Sequence, residues 1–259
     1  MSTVDAILLG GGAGSRFTGS SAGAGKAPPK QFQLLGDSPV FIHALRSLLT
    51  LDCFRQIVVA VPGPLVETAQ EQVDLHVGRH PKTLVRVIEG GNRRQDSSRK
   101  ALEALDQVTP TCTRVLIHDA CRPFLSEDFL ERVRERLFDR SYGAWIPVVP
   151  VVDTLKRVDN QAVVETVDRS ALHHVQTPQI FEYGVIRSLA EKIQTDPELA
   201  FTDDASLCEY FGIPVGVFEG DTRNIKITYP FDLASVRGLM AEEGGQRKCA
   251  SESATTPTA

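Results

Sequence analysis

The stretch AILLGGGAGSRFTGSSAGAGKAPPKQ, residues 6–31, opens with four apolar residues, Ala6 to Leu9, and breaks at once into Gly10, Gly11, Gly12 and Gly14. It then sets down Arg16 and, beyond a run of small residues, Lys30. A short apolar run ended by glycines reads as a buried strand entering a loop. Without a Cβ, glycine lets backbone N–H groups approach an anion closely, and consecutive amides in such a turn form a concave nest for phosphate. A cation on each side of the nest points to a polyphosphate. The loop reads as one built for a nucleoside triphosphate.

Two glycine motifs fail here at positions their chemistry needs. The dinucleotide fingerprint G-x-G-x-x-G fits Gly10 and Gly12 but meets Ser15 in place of its third glycine. The P-loop pattern fits Gly25-Lys26, yet Ser20 stands at its first glycine and Ala27 at the hydroxyl that holds magnesium. By itself the loop is equally a plain turn after a core strand, so the rest of the chain has to decide.

Working outward, short β-branched runs alternate with longer amphipathic stretches. Strands are expected at Asp5–Leu9, Gln56–Val61, Thr83–Glu89, Arg114–His118, Ala144–Val149 and Val215–Phe218. Helices are expected near Val40–Leu51, Pro64–Val77, Asp96–Leu105, Glu127–Phe138, Gly184–Ile193, Asp203–Phe211 and Phe231–Met240. That alternation predicts an α/β, Rossmann-like, mostly parallel sheet with helices on both faces. Ligands of such sheets gather beyond the carboxyl ends of the strands, where the first glycine loop, Gly90-Gly91 and Asp119 should converge. Val151 to Gln176 breaks the rhythm: two alternating segments around Asp159-Asn160 predict a projecting β-hairpin arm. An isolated ribbon is marginal in water, so the arm is expected to pack on a second subunit. Residues 1–240 then form one domain with an arm at about 151–176, and the small, polar segment 241–259 is expected to be a disordered tail.

Composition narrows the function classes. The 259 residues carry a net charge of −5, with 42% apolar and 24% charged residues, ordinary for a soluble globular chain. No long Lys/Arg run speaks for nucleic acid, and no apolar stretch approaches the roughly 20 residues of a membrane span. Five cysteines (Cys53, Cys112, Cys121, Cys208, Cys249), widely spaced and without a C-x-x-C pair, fit a reducing cytoplasm and provide no zinc site. His173-His174 cannot both face one metal from a strand, because neighbouring side chains point to opposite faces.

Four further clusters carry chemistry. Gly90-Gly91-Asn92-Arg93-Arg94-Gln95-Asp96-Ser97 follows a strand and opens a helix, with glycines that admit a flat base and Asn92 and Ser97 to bond its edge. His118-Asp119-Ala120-Cys121-Arg122-Pro123 brings a carboxylate suited to a divalent metal and an arginine suited to an anion. Asp153-Thr154 with Lys156, and Asp168-Arg169, flank the hairpin; Gly220-Asp221-Thr222-Arg223-Asn224-Ile225-Lys226 sets a second lysine late in the chain. Singly, each also has a structural explanation: Asp119 capping a turn, Arg122 in a surface pair, Lys226 solvated.

In this order the clusters resemble the 2-C-methyl-D-erythritol 4-phosphate cytidylyltransferase family over residues 4–240, with ribitol-5-phosphate cytidylyltransferases as near relatives. The matching pieces are GGGAGSR with Pro29-Lys30-Gln31, GGNRRQDS, HDACRPF, DTLKRV, TVDRSALHHVQTPQ, TDDAS and NIKIT. TVDRS…QTPQ and DTLKR favour the methylerythritol branch; the glycine-rich first loop, Arg122-Pro123-Phe124 and Gly220-Asp221 lean to the ribitol branch. The loop between Arg16 and Lys30 is longer than usual, Asn92 replaces a common aspartate, and Arg223 stands where an acid is frequent, with Asp221 as its possible substitute.

The resemblance implies transfer of CMP from CTP to methylerythritol 4-phosphate, or alternatively to ribitol 5-phosphate, with release of pyrophosphate. It implies Arg16, Lys30 and Lys226 as catalytic; Gly10, Gly11, Gly12, Gly90, Gly91, Asn92, Arg94 and Ser97 as nucleotide-binding; and Arg122, Thr154, Arg169 and Thr177 as acceptor-binding. Asp119 would hold Mg2+ or another divalent cation, and the hairpin arm would join a cytoplasmic homodimer. Two readings of other classes are a non-catalytic nucleotide sensor, which keeping both lysines disfavours, and a Rossmann dehydrogenase, which Ser15 disfavours.

Overall fold

β1 (Val4–Leu9) buries all six of its residues, because both faces of the sheet it centres are covered. The computed structural model describes residues 3–11, 28–106, 113–195 and 199–253, with side chains through 242. β4 (Phe54–Val61) and β6 (Arg114–Asp119) flank β1 in parallel, and β5 (Leu84–Glu89) lies beyond β4. Leu9 pairs with both Ala60 and Asp119, and Val61 with Glu89, so these strands end level and form one rim.

The alternation along β1 sorts the core. Val4, Ala6 and Leu8 face α1 (Val40–Leu49), α2 (Val66–His76) and α4 (Glu127–Phe138), meeting Phe41, Leu45, Val73 and Phe129. Ile7 and Leu9 face α3 (Arg94–Asp106), α5 (Tyr183–Lys192) and α6 (Asp204–Tyr210), meeting Leu102, Ile186 and Leu207. Ser126 caps α4 by accepting from the Phe129 N–H.

On the other side of β6 the sheet changes direction. β11 (Gln179–Glu182) runs antiparallel between β6 and β7 (Ala144–Pro150). β10 (His173–Val175) pairs with the far end of β7, whose other edge takes β12 (Val215–Glu219) in parallel. Sequence reading passed over β10 and β11, because three or four residues show no alternation of their own. Two two-residue strands, β2 (Leu34–Leu35) and β3 (Ser38–Pro39), pair with each other.

The arm is a separate two-stranded sheet of β8 (Leu155–Asp159) and β9 (Ala162–Val167). Its turn lies one residue later than expected, at Asn160 (φ 44°) and Gln161 (φ 67°), with Asp159 paired to Ala162. Two consecutive left-handed residues form the turn whose twist suits a hairpin. Val152, Val158, Val163 and Val164 are each more than half exposed.

α7 (Pro230–Ser253) runs past the expected end of the last helix at Met240. Glu242, Glu243, Gln246, Arg247, Lys248 and Ala250 are good helix formers, enough to carry the helix through Gly244-Gly245. Leu233 and Val236 of α7 pack with Cys121, Phe124 and Ile227, a small third core behind the loop that follows β6. Among the described residues no helix is long and apolar enough to cross a membrane.

Candidate active site

The rim formed by β5, β4, β1 and β6 is extended by one residue on two strands: the N–H of Gly10 donates to Ala60 O and that of Gly90 to Val61 O, each at 2.7 Å. Gln31, 2% exposed, donates from Nε2 to Gly10 O at 2.5 Å. That bond ties the single helical turn Lys30–Phe32 to the glycine loop and brings Lys30 to the rim. There the Lys30 charge acts on the Cys121 thiol, whose pKa burial raises and Lys30 and Lys226 pull back. Gly12 and Arg16 lie outside the described residues.

Gly11, Gly90 and Gly91 close around one hydroxyl. Ser97 Oγ accepts from the Gly91 N–H at 2.9 Å, and a Cβ on Gly11 or Gly90 would come within 2.7 or 2.8 Å of it. A Cβ on Gly91 would overlap the Asp96 Cβ at 2.3 Å. Only glycine permits this approach of the two loops. Ser97 is buried as the post between them, while Asn92 stands exposed beside Arg93, which pairs with Asp96 at 3.0 Å. The two base-edge donors expected from the sequence are thus in different surroundings, one internal and one open.

Asp119, the last residue of β6, collects the charges. Lys226 Nζ lies 2.7 Å from its Oδ2, and Arg94 Nε 3.4 Å from its Oδ1. Arg94 also reaches Asp204 Oδ2 through Nη1 at 2.6 Å. Arg122 turns back over the site and donates from Nη1 to Asn224 O at 2.7 Å. Burial alone raises a carboxyl pKa; here the charges of Arg94, Lys226 and Arg122 outweigh it and hold Asp119 well below the usual carboxylate range. Asp119 is therefore an anion at any physiological pH.

His118 steadies this carboxylate from behind. The Asp119 N–H donates to Thr177 Oγ1 at 3.1 Å, leaving the Thr177 hydroxyl hydrogen for His118 Nδ1 at 2.9 Å. His118 Nε2 must then carry the ring proton, which it donates to Arg122 O at 3.0 Å. Burial pushes the His118 pKa down to about 4, against about 6.5 in an unfolded chain. Between those values the unfolded state binds a proton that the native state does not, so the contribution is complete above about pH 6.5 and fades as pH falls towards 4. It amounts to about 3 kcal/mol at most. The urea midpoint is expected to drop over this window, and His118→Asn should flatten that part of the curve; parallel pH curves for the two proteins would refute the assignment.

The segments of Gln176 and Asp221 are stapled side by side. The Gln176 amide accepts from the Asp221 N–H at 3.1 Å and donates to Asp221 O at 2.8 Å, and Asn224 Nδ2 donates to Thr177 O at 2.8 Å. The Asp221 carboxylate accepts from Ser126 Oγ, the N-cap of α4, and pairs with Arg223 at 3.0 Å. A cavity of about 290 Å³ opens in front, lined by Arg94, Asp119, Arg122, Thr177, Asp203 and Lys226 among others. Arg94 Nη2 and Arg122 Nε are buried beside it with no hydrogen-bond partner among the described residues. Donors left over next to a cavity suit an anion.

A family profile described as IspD, 2-C-methyl-D-erythritol 4-phosphate cytidylyltransferase, matches residues 4–242. The chain belongs to this family. The bifunctional enzyme IspD/IspF of Bartonella bacilliformis is 37% identical over 240 residues, which are 92% of this chain and 57% of that protein. Its counterpart in Mesorhizobium japonicum is 39% identical over 227 residues, 87% of this chain and 54% of that one. The chain thus spans little more than half the length of these relatives. The solved 2-C-methyl-D-erythritol 4-phosphate cytidylyltransferase of Francisella tularensis superposes with a TM-score of 0.72 at 27% identity, over 91% of this chain and 98% of that chain.

Of the residues the cytidylyltransferase resemblance singled out, the structure brings Arg94, Asp119, Arg122, Thr177 and Lys226 to one cavity, with Gly10, Gly11, Gly90, Gly91 and Lys30 at the adjoining rim. Thr154 and Arg169 do not join them within one chain. Both are exposed on or beside the arm, where Arg169 donates to the Val152 carbonyl. Sequence reading assigned no role to Asp204, Gln31, His118, Gln176 or Asn224. The available signal was their place inside matching motifs; their partners lie too far along the chain for spacing to reveal.

Proposed function

We propose that this chain transfers CMP from CTP to 2-C-methyl-D-erythritol 4-phosphate and releases pyrophosphate. The observation that supports this best is the buried Asp119, held ionised between Arg94, Lys226 and Arg122 at the mouth of a glycine-lined rim. An oxygen of the acceptor phosphate attacks the α-phosphorus of CTP as the bond to the β-phosphate oxygen breaks, and pyrophosphate carries the electron pair away. No protein nucleophile is required, so positioning and charge neutralisation carry the rate. Gly10 to Gly12 and Arg16 cradle the triphosphate, and the Gly90-Gly91 backbone shaped by Ser97 takes the cytosine, with Asn92 at its outer edge. Lys30 and Lys226 neutralise charge on the α-phosphate, for which Lys226 exchanges its bond to Asp119. The spare N–H groups of Arg94 and Arg122 hold phosphate oxygens, and Thr177 fixes Asp119.

The donor set suits a divalent cation carried in by the nucleotide. No group of three or more His, Cys, Asp or Glu gathers as a cage among the described residues, and Asp119 offers one hard carboxylate. Mg2+ is commonly held by one or two carboxylates together with substrate phosphates. When bound, the ion would neutralise triphosphate charge, with Asp119 as its protein ligand.

Purified chain with CTP and Mg2+ is expected to release pyrophosphate with methylerythritol 4-phosphate, and roughly 10–200-fold faster than with ribitol 5-phosphate, the range one small group in a pocket confers. Equal or reversed preference would overturn the acceptor; CTP binding without release on either would make the chain a sensor.

The arm completes the acceptor site of a second copy in this reading, with Thr154 and Arg169 reaching the partner's acceptor. Its exposed valines need cover, and a two-fold exchange of arms provides it for both chains. Mixed dimers of Lys30→Ala and Arg169→Ala chains test this. With shared arms one site carries both defects and the other neither, so activity returns; mixtures as inactive as the separate variants, despite subunit exchange, would show self-contained sites. The unpaired thiols of Cys53, Cys121 and Cys208 fit a reducing cytoplasm.

A further inference from the structure

Arg94 opens α3 with its guanidinium between two buried carboxylates. Its Nη1 lies 2.6 Å from Asp204 Oδ2, a full charge-assisted bond, while its Nε lies 3.4 Å from Asp119 Oδ1, beyond ordinary hydrogen-bond length. We propose that Asp204 is a positioning residue: it holds Arg94 away from Asp119 and so keeps one oxygen of Asp119 open for the divalent cation that arrives with CTP. This rests on the cytidylyltransferase reading above.

Asp204 is placed independently of Arg94. It is the first residue of α6, whose N-cap Asp203 accepts from the Ser206 N–H at 3.0 Å. Gln179 braces both neighbours, donating to Asp203 Oδ2 at 2.6 Å and accepting from the Ala205 N–H at 3.3 Å. Gln95, next to Arg94, grips the approach to α6: Nε2 donates to Leu199 O at 2.9 Å and Oε1 accepts from the Phe201 N–H at 3.0 Å. The helix therefore presents a fixed anion to which the guanidinium comes.

The consequence falls on Asp119. Its Oδ2 is taken by Lys226, a 40% exposed side chain able to swing to a phosphate. Among the described residues its Oδ1 has only the long contact with Arg94. Without the Asp204 charge, Asp119 would be the one remaining carboxylate paired with Arg94 among the described residues. A guanidinium closes on a lone buried carboxylate in a two-bond fork, and a fork on Asp119 would cover the oxygen that the cation needs.

The test measures Mn2+ binding to the enzyme with saturating CTP and no acceptor, by electron paramagnetic resonance, so that no turnover enters. Asp204→Asn should weaken Mn2+ binding 10–100-fold, the usual effect of losing a residue that orients a metal ligand. Asp204→Glu, which keeps the charge, should stay near the wild-type value. The double change Asp204→Asn with Arg94→Gln gives up the Arg94 contact to phosphate but should still bind Mn2+ more tightly than Asp204→Asn alone, because the competitor for Asp119 is gone. A purely structural Asp204 would make the double variant as weak as the single one or weaker, and that result overturns the proposal, as does a wild-type titration for Asp204→Asn. If Asp204→Asn does not fold, Asp204→Ser, which also removes the charge, should weaken Mn2+ binding in the same way, and a wild-type titration for it overturns the proposal. Failure of the wild type to release pyrophosphate with either acceptor would instead sink the transferase reading, so the two failures are told apart.

Discussion

Asp119→Asn is expected to lower kcat by on the order of 10³, the upper end of what one preorganised charge at a reacting phosphate contributes. The magnesium concentration for half-maximal rate should rise with it, because an amide is a poorer ligand than a carboxylate for a hard cation. The fold should weaken too. Asp119 is the buried anion facing Arg94, Lys226 and Arg122, and removing one partner of a buried pair commonly costs about 3–5 kcal/mol. Asp204 still neutralises Arg94 at 2.6 Å, so the loss should fall at the lower end of that range. Steady-state rates with a magnesium titration, and urea unfolding without nucleotide, check both parts. A variant with wild-type kcat and an unchanged magnesium curve would reduce Asp119 to a turn residue.

Lys226→Ala should cost on the order of 10²–10³ in kcat, about 3–4 kcal/mol of transition-state stabilisation, while leaving the protein nearly as stable as before. Its side chain is 40% exposed, and ion pairs that reach solvent contribute little. The magnesium dependence separates it from Asp119→Asn. Removing Lys226 frees Asp119 Oδ2, so half-saturation should move to lower magnesium or stay where it is. A raised KM with normal kcat would mean that Lys226 serves the ground state only.

The parallel half of the sheet was legible because strands covered on both faces are nearly all apolar, as in Ala6–Leu9 and Ile57–Val61. Gln179–Glu182 escaped because its direction is imposed by β6 and β7 on either side, and nothing within four residues records that. The hairpin was visible, but its turn moved one place, since Asn160 and Gln161 together take the left-handed conformation. In the site, glycine loops and lone cations announced themselves by composition. The network that aims them did not: Arg94 meets Asp204 and Lys226 meets Asp119 across more than 100 residues. Such pairs are fixed by which strands are neighbours, which spacing along the chain does not encode.

The third small core sets a minimum length for a working protein. Ile227 follows Lys226, donates its N–H to Cys121 O at 2.9 Å, and is clamped against that loop by Leu233 and Val236. Shortening the chain from its C-terminus would therefore spare the lysine until the cut reached Val236, and release it within one helical turn after that. The first two turns of the helix, which carry Leu233 and Val236, are inseparable from the chemistry and mark the boundary that any shortening has to respect. A purification tag belongs after that boundary, not before it.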